Sequence, residues 1–168
     1  MNDKEIIVRE TLDEDISGLF KILNNKENQK LVGGSLKSMS LQEVGDWLRD
    51  KRTDHQTIIF SILKGEEFAG YIIITSIDLI NGHAIFGINI LRSFQGKGLG
   101  KIATSQVHNF CKEKLSIRKL VLNVRNDNYF AISLYTKLGY KMVGTLSNHV
   151  KDGDNYLDNN IMEIFLRD

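Results

Sequence analysis

The sequence predicts a mixed α+β fold in a single domain spanning residues 1–168. Three observations point there. Apolar residues first recur at helical spacing and then, from about residue 56, alternate with period two. Between 56 and 91 three β-rich runs, "TIIFSILKG", "EFAGYIIITSI" and "HAIFGINIL", are separated only by the hairpin signals "KGEE" and "NG". The third run then passes through glycines 96, 98 and 100 into an amphipathic helix, in a chain that has no proline.

Each element follows from its local pattern. "IIVRE" (6–10) reads as a short strand, and Ile16, Leu19, Phe20 and Leu23 mark one face of a first helix. The polar stretch 24–40, with Gly33 and Gly34, reads as a loop holding at most short helical pieces. Ser40 and Glu43 have capping-box spacing and open a helix over "LQEVGDWLRD". The runs in 56–91 form a three-stranded antiparallel meander. Beyond the glycines, Ile102, Ala103, Val107, Phe110 and Cys111 share a helical face through about 115. "KLVLNV" (119–124) is a strand, and "NYFAISLYTKLG" (128–139) is a helix ended by glycine. Two final β-runs, "YKMVGTLSN" and "YLDNNIMEIFL", are joined by the turn-rich "KDGDN".

Composition narrows the function. With 42% hydrophobic and 26% charged residues the chain is an ordinary globular one. A net charge of +1 argues against broad electrostatic capture of nucleic acid or of an anionic membrane. The apolar runs are too short to span a bilayer, and "NDKE" after Met1 is unlike a secretory leader, so the expected location is the cytoplasm. Cys111 alone permits no internal disulfide, and four histidines show no metal-ligand spacing, so no metal is expected.

The glycine cluster carries the chemistry. A strand-to-helix junction with bare backbone exposes N–H groups and the helix dipole, which suits a phosphate. The spacing is neither that of a Walker loop nor that of a dinucleotide fingerprint, and a tight turn with packing glycines is the alternative. "QGKGLG" (95–100) matches Gln/Arg-x-x-Gly-x-Gly/Ala, and 28 residues after Gly100 begins "NYFAISLYTKLGY", with Asn128, Ala131, Leu134, Tyr135, Gly139 and Tyr140. These two signatures, in this order, resemble those of the GNAT superfamily of N-acetyltransferases. The tail "HVKDGDNYLDNNIMEIFL" looks like the branch that holds ribosomal-protein and spermidine acetyltransferases.

The resemblance implies a mostly antiparallel six- to seven-stranded sheet with splayed central strands, flanked by about four helices. It implies acetyl-coenzyme A as co-substrate. Its diphosphate would lie on amides of Gln95, Gly96, Lys97, Gly98, Leu99, Gly100 and Lys101, and its pantetheine arm on backbone near Ile88 and Ile90, with Asn128 nearby. A backbone N–H around Ile90 would face the thioester carbonyl. Tyr135 would be the general acid, since a phenol of pKa ~10 can protonate a thiolate of pKa ~8.5. By position alone, Tyr135 reads equally as a packed core tyrosine. The glutamate that many family members use as base corresponds to Ile85, which leaves Asp158, His149, His83 or a water relay.

The implied acceptor is a primary amine, either a small molecule (a polyamine, an amino sugar) or a protein N-terminus. The expected acceptor site lies over the splayed strands, under loop 24–40 and the hairpin at 148–158, where Asp152, Asp154, Asp158 and Glu163 form either an acidic lip or a solvated turn. No nucleic acid or membrane partner is expected, and a homodimer is admitted. The competing readings are a catalytically silent acyl-coenzyme A sensor, and a nucleotide-binding module of unrelated fold.

Overall fold

The computed structural model describes residues 6–31 and 37–167. In chain order the elements are β1 (Ile6–Glu10), α1 (Ile16–Leu23), α2 (Lys26–Leu31), α3 (Leu41–Thr53), β2 (Ile58–Lys64), β3 (Glu67–Asp78), β4 (His83–Ile90), α4 (Leu99–Lys114), β5 (Lys119–Arg125), α5 (Tyr129–Lys137), β6 (Lys141–Asp152) and β7 (Asn155–Phe165). Short 3-10 turns precede α1, at Asp13–Asp15, and the glycine cluster, at Arg92–Phe94. One sheet joins the strands in the order β1-β2-β3-β4-β5-β7-β6. Every neighbouring pair is antiparallel except β4 with β5, which run parallel.

Alternation along the strands builds two cores. On one face Ile72, Ile74 and Phe86 meet Leu99, Ala103, Val107 and Cys111 of α4 and Tyr135 of α5. On the other, Ile59 and Tyr71 pack against Leu19 and Ile22 of α1 and Val44 and Leu48 of α3. The capping box read from the sequence opens α3: the Ser40 hydroxyl accepts from the Glu43 amide at 3.2 Å, and the Ser40 amide donates to the Glu43 carboxylate at 2.7 Å.

The meander, the splayed central strands and the seven-stranded sheet match expectation. Among the described residues the helices number five where about four were expected, with α2 a short helical piece inside the polar stretch 24–40. The Gly33–Gly34 pair lies outside the described residues. The last hairpin also differs: its strands run to Asp152 and from Asn155, so only Gly153 (φ +62°) and Asp154 make the turn. His149 and Asp158 therefore lie within strands and do not flank a loop. A bulge between Leu146 and Val150 interrupts the pairing of β6 with β7. There Asn148 takes a left-handed φ of +50°, and its amide donates to the Asp158 carboxylate at 2.8 Å.

Candidate functional site

The sheet parts at its centre. β4 and β5 share three rungs, His83↔Lys119, Ala84↔Leu120 and Ile85↔Val121, and then diverge. β5 stays paired with β7 as far as Arg125↔Asn159, and β4 stays paired with β3 as far as Gly70↔Ile90. The edge of β4 from Phe86 to Ile90 that faces β5 has no strand beside it. The Leu91 amide donates to Ala69 on the β3 side at 2.8 Å. Strand alternation therefore turns the N–H and C=O groups of Ile88 and Ile90 toward the gap. The Ile90 carbonyl accepts from the Gln95 side chain at 2.8 Å, which leaves its N–H as the donor at that point of the fork.

The glycine loop sits at the tip of β4. Gly96 and Gly98 have φ of +72° and +76°, and nothing lies within 4 Å of where a Cβ would stand on either. Their need for glycine is conformational, and the space above them is open, as a diphosphate on bare amides requires. Gly100 is glycine for another reason: a Cβ there would meet Ile90 Cδ1 at 3.1 Å and Leu134 Cδ2 at 3.2 Å, so α4 starts in direct contact with β4 and α5. Both sequence readings, bare backbone and packing, thus hold within one loop. Leu99 is buried and anchors the helix start, while Lys101 is exposed on the first turn. Lys97 folds back, donating to the Ser93 carbonyl at 2.7 Å with its ammonium 5.9 Å from the Phe94 ring centroid.

Helix α5 lines the fork's inner face. Asn128 is its N-cap, accepting from the Ala131 amide at 3.2 Å. Tyr135 is 5% exposed and meets Phe86, the first β4 residue past the shared rungs, edge-on at 6.3 Å. Its hydroxyl makes no hydrogen bond among the described residues, unlike that of neighbouring Tyr140, which lies 2.9 Å from Nε2 of His108. Burial pushes the Tyr135 phenol well above its ordinary pKa, so it holds its proton. Burial also keeps His108 neutral, pushing it down to about 4.

The other face of β4 presents Ile85, Gly87 and Asn89. Ile85 occupies the last shared rung and cannot take a proton. Asn89 donates to the Tyr71 hydroxyl at 3.0 Å, and burial raises that phenol to about 12. Of the alternative bases, His83 faces Asp78 at 3.6 Å at the closed end of the fork. It lies five residues before Ile88, about 16 Å along the strand. Asp158 is held by the bulge described above. Asp152 pairs with Arg125 at 3.2 Å and Glu163 with Lys119 at 3.1 Å, so most of the expected acidic lip has structural partners. Cys111 is fully buried, and burial pushes its thiol up to about 12.

Sequence reasoning missed Arg125. Its guanidinium grips Asp127 with two bonds, at 2.9 and 2.7 Å, and also donates to Asp152 and to the Lys30 carbonyl, the latter at 2.8 Å. Its signal was an arginine ending an apolar strand with an aspartate two residues on. A cleft of about 880 Å³ between α1 and the β2–β3 turn touches this region only through Leu91, Ser93 and Phe94, and does not contain the fork. Among the described residues no group of three or more His, Cys, Asp or Glu is placed to hold a metal ion, and no helix is long and apolar enough to cross a membrane.

Comparison with known proteins agrees with this arrangement. Residues 19–140 match the model of the acetyltransferase (GNAT) family. A spermidine N(1)-acetyltransferase of Escherichia coli is 35% identical over 80 residues, which cover 48% of this chain and 43% of that protein. An N-alpha-acetyltransferase of Saccharolobus solfataricus is 32% identical over 73 residues, or 44% of this chain and 43% of that protein. The matched stretches thus span less than half the length of these curated relatives. The crystal structure of a Vibrio cholerae spermidine N-acetyltransferase in complex with CoA and spermine superimposes with a TM-score of 0.90 at 21% identity, covering 97% of this chain and 96% of that one. That likeness is one of fold.

Proposed function

The chain belongs to the acetyltransferase (GNAT) family, and from that premise we propose that it moves the acetyl group of acetyl-coenzyme A onto a primary amine by direct attack on the thioester. The observation that carries the reading is the fork itself: a parallel pair that parts after Ile85↔Val121, with an open glycine loop at one tip and Tyr135 beside the parting.

In this reading the amides from Gln95 to Lys101 take the diphosphate, helped by the dipole of the 16-residue α4. The backbone of Ile88 and Ile90 pairs with the amides of the pantetheine arm, and the Ile90 N–H faces the thioester oxygen as negative charge develops on it. Asn128 borders the arm while capping α5. Tyr135 gives its proton to the departing thiolate. Its raised pKa suits a group that must remain protonated until charge appears beside it. With Ile85 where a glutamate would serve, the amine loses its proton to a water held by backbone groups of the fork. The acceptor is a polyamine, another small amine, or a protein N-terminus; the two kinds of relative named above are spermidine and N-alpha acetyltransferases. The silent-sensor reading rested on Ile85 alone, and the placement of Tyr135 gives it no support.

The test is thiol release from acetyl-coenzyme A across a panel of polyamines, amino sugars and N-terminal peptides. Release with at least one class, joined to mass gain on that amine, is expected. Cofactor binding without release for any amine would overturn the transferase reading.

A further inference from the structure

The two tips of the fork are held by different structures. The glycine loop follows β4, whereas the last residue of β5 is Arg125, whose side chain is 5% exposed. Arg125 ties together three segments distant in sequence. Its Nε and Nη2 take both oxygens of Asp127 in the β5–α5 connection. Its Nη1 donates to the Lys30 carbonyl in the last turn of α2, and Nη2 also reaches Asp152, where β6 ends at the hairpin turn. A guanidinium on the last carbonyls of a helix satisfies groups that the helix itself leaves open. α2 is only six residues long, too short to be stable by itself. A buried cation with two carboxylates and a carbonyl in fixed directions is a rigid joint, because the planar fork matches each acceptor at one angle only.

In the proposed transfer the cofactor's diphosphate takes the β4 tip, away from the acceptor amine. The flank at the β5 tip, built of α2 and the β6–β7 turn, remains for it. We propose that Arg125 is a positioning residue for the acceptor: it holds these two segments together at the tip of β5, and so sets the affinity for the amine without acting on the cofactor. The proposal rests on the transferase reading for its kinetic test, and on the geometry alone for its second test.

In the full chain, Arg125→Lys keeps the charge but can satisfy only one acceptor direction at a time. With an amine found by the panel, KM for the amine rises about tenfold or more, while KM for acetyl-coenzyme A stays within about twofold. Asp152→Asn keeps an acceptor oxygen but takes the charge from the hairpin contact, and raises the same constant by a smaller factor. Amide hydrogen exchange supplies the readout that needs no substrate. In Arg125→Lys, exchange in 26–31 and 152–155 quickens together while α4 keeps its protection. An unchanged amine KM in a folded Arg125→Lys protein, or cofactor and amine constants rising in step, overturns the proposal. If Arg125→Lys fails to fold, Asp152→Asn is judged by the same two criteria. If no amine is accepted, the transferase reading falls, and unchanged exchange in the two segments overturns the joint separately.

Discussion

Replacing Gly98 by asparagine and by aspartate separates shape from charge at the glycine loop. The two side chains are nearly isosteric, and both tolerate a left-handed backbone better than other residues do. At Gly98 φ is +76° and no atom lies within 4 Å of an added Cβ, so neither substitution creates a clash. Each costs about 1–2 kcal/mol of backbone strain, which in a chain of this size lowers Tm by about 2–8 °C. Any difference between the two then reports the carboxylate. A unit charge about 5 Å from a phosphate charge costs roughly 1 kcal/mol in open water and about 3 kcal/mol at a protein surface. Acetyl-coenzyme A should therefore bind the aspartate variant about five- to 150-fold more weakly than the asparagine variant, with the gap narrowing as salt is added. Isothermal titration of both proteins at two ionic strengths gives the answer. Equal affinities in two folded variants would remove the diphosphate from this loop.

Three further outcomes are expected. Tyr135→Phe should lower kcat about 10²–10⁴-fold with little change in cofactor affinity; near wild-type turnover with chemistry rate-limiting would make Tyr135 a core residue only. His108 is neutral in the fold with its pKa near 4, below the unfolded value of 6.5. The unfolded chain therefore takes up the proton first, and stability falls with pH through that window by roughly 3 kcal/mol. His108→Gln should flatten this part of a Tm–pH profile, and an unaltered slope would assign it to other groups. Asp154→Ala should leave fold and cofactor affinity intact, and raises KM for a polyamine only if the hairpin turn meets a second ammonium; unchanged kinetics toward every accepted amine would reduce the acidic lip to a solvated turn.

The architecture was legible where local chemistry and global position agree. The β-rich runs and their hairpin signals gave the meander, and Ser40 with Glu43 announced α3. The glycine loop was legible because positive φ leaves a sequence mark. Less could be read where long-range contacts decide. The polar run 24–31 contains α2 because Arg125, 95 residues from Lys30, takes its carbonyl. The β-run 140–148 gives no local sign of the bulge between Leu146 and Val150, where Asp158 offers the Asn148 amide an acceptor across the hairpin. His83 was a candidate base until strand length placed it at the closed end of the fork.

The parting of β4 and β5 also bears on how a turnover must end. On the proposed reading, the arm of the cofactor lends Ile88 the hydrogen bonds that a neighbouring strand would have given. Those bonds are the same whether or not an acetyl group is still attached at the far end. The backbone at Ile88 cannot tell the spent carrier from the loaded one, and only contacts near the thioester, the Ile90 N–H among them, distinguish them. Free coenzyme A is then an inherent competitor of acetyl-coenzyme A. Once transfer is complete, the sheet must let go of a borrowed strand before the next round can begin.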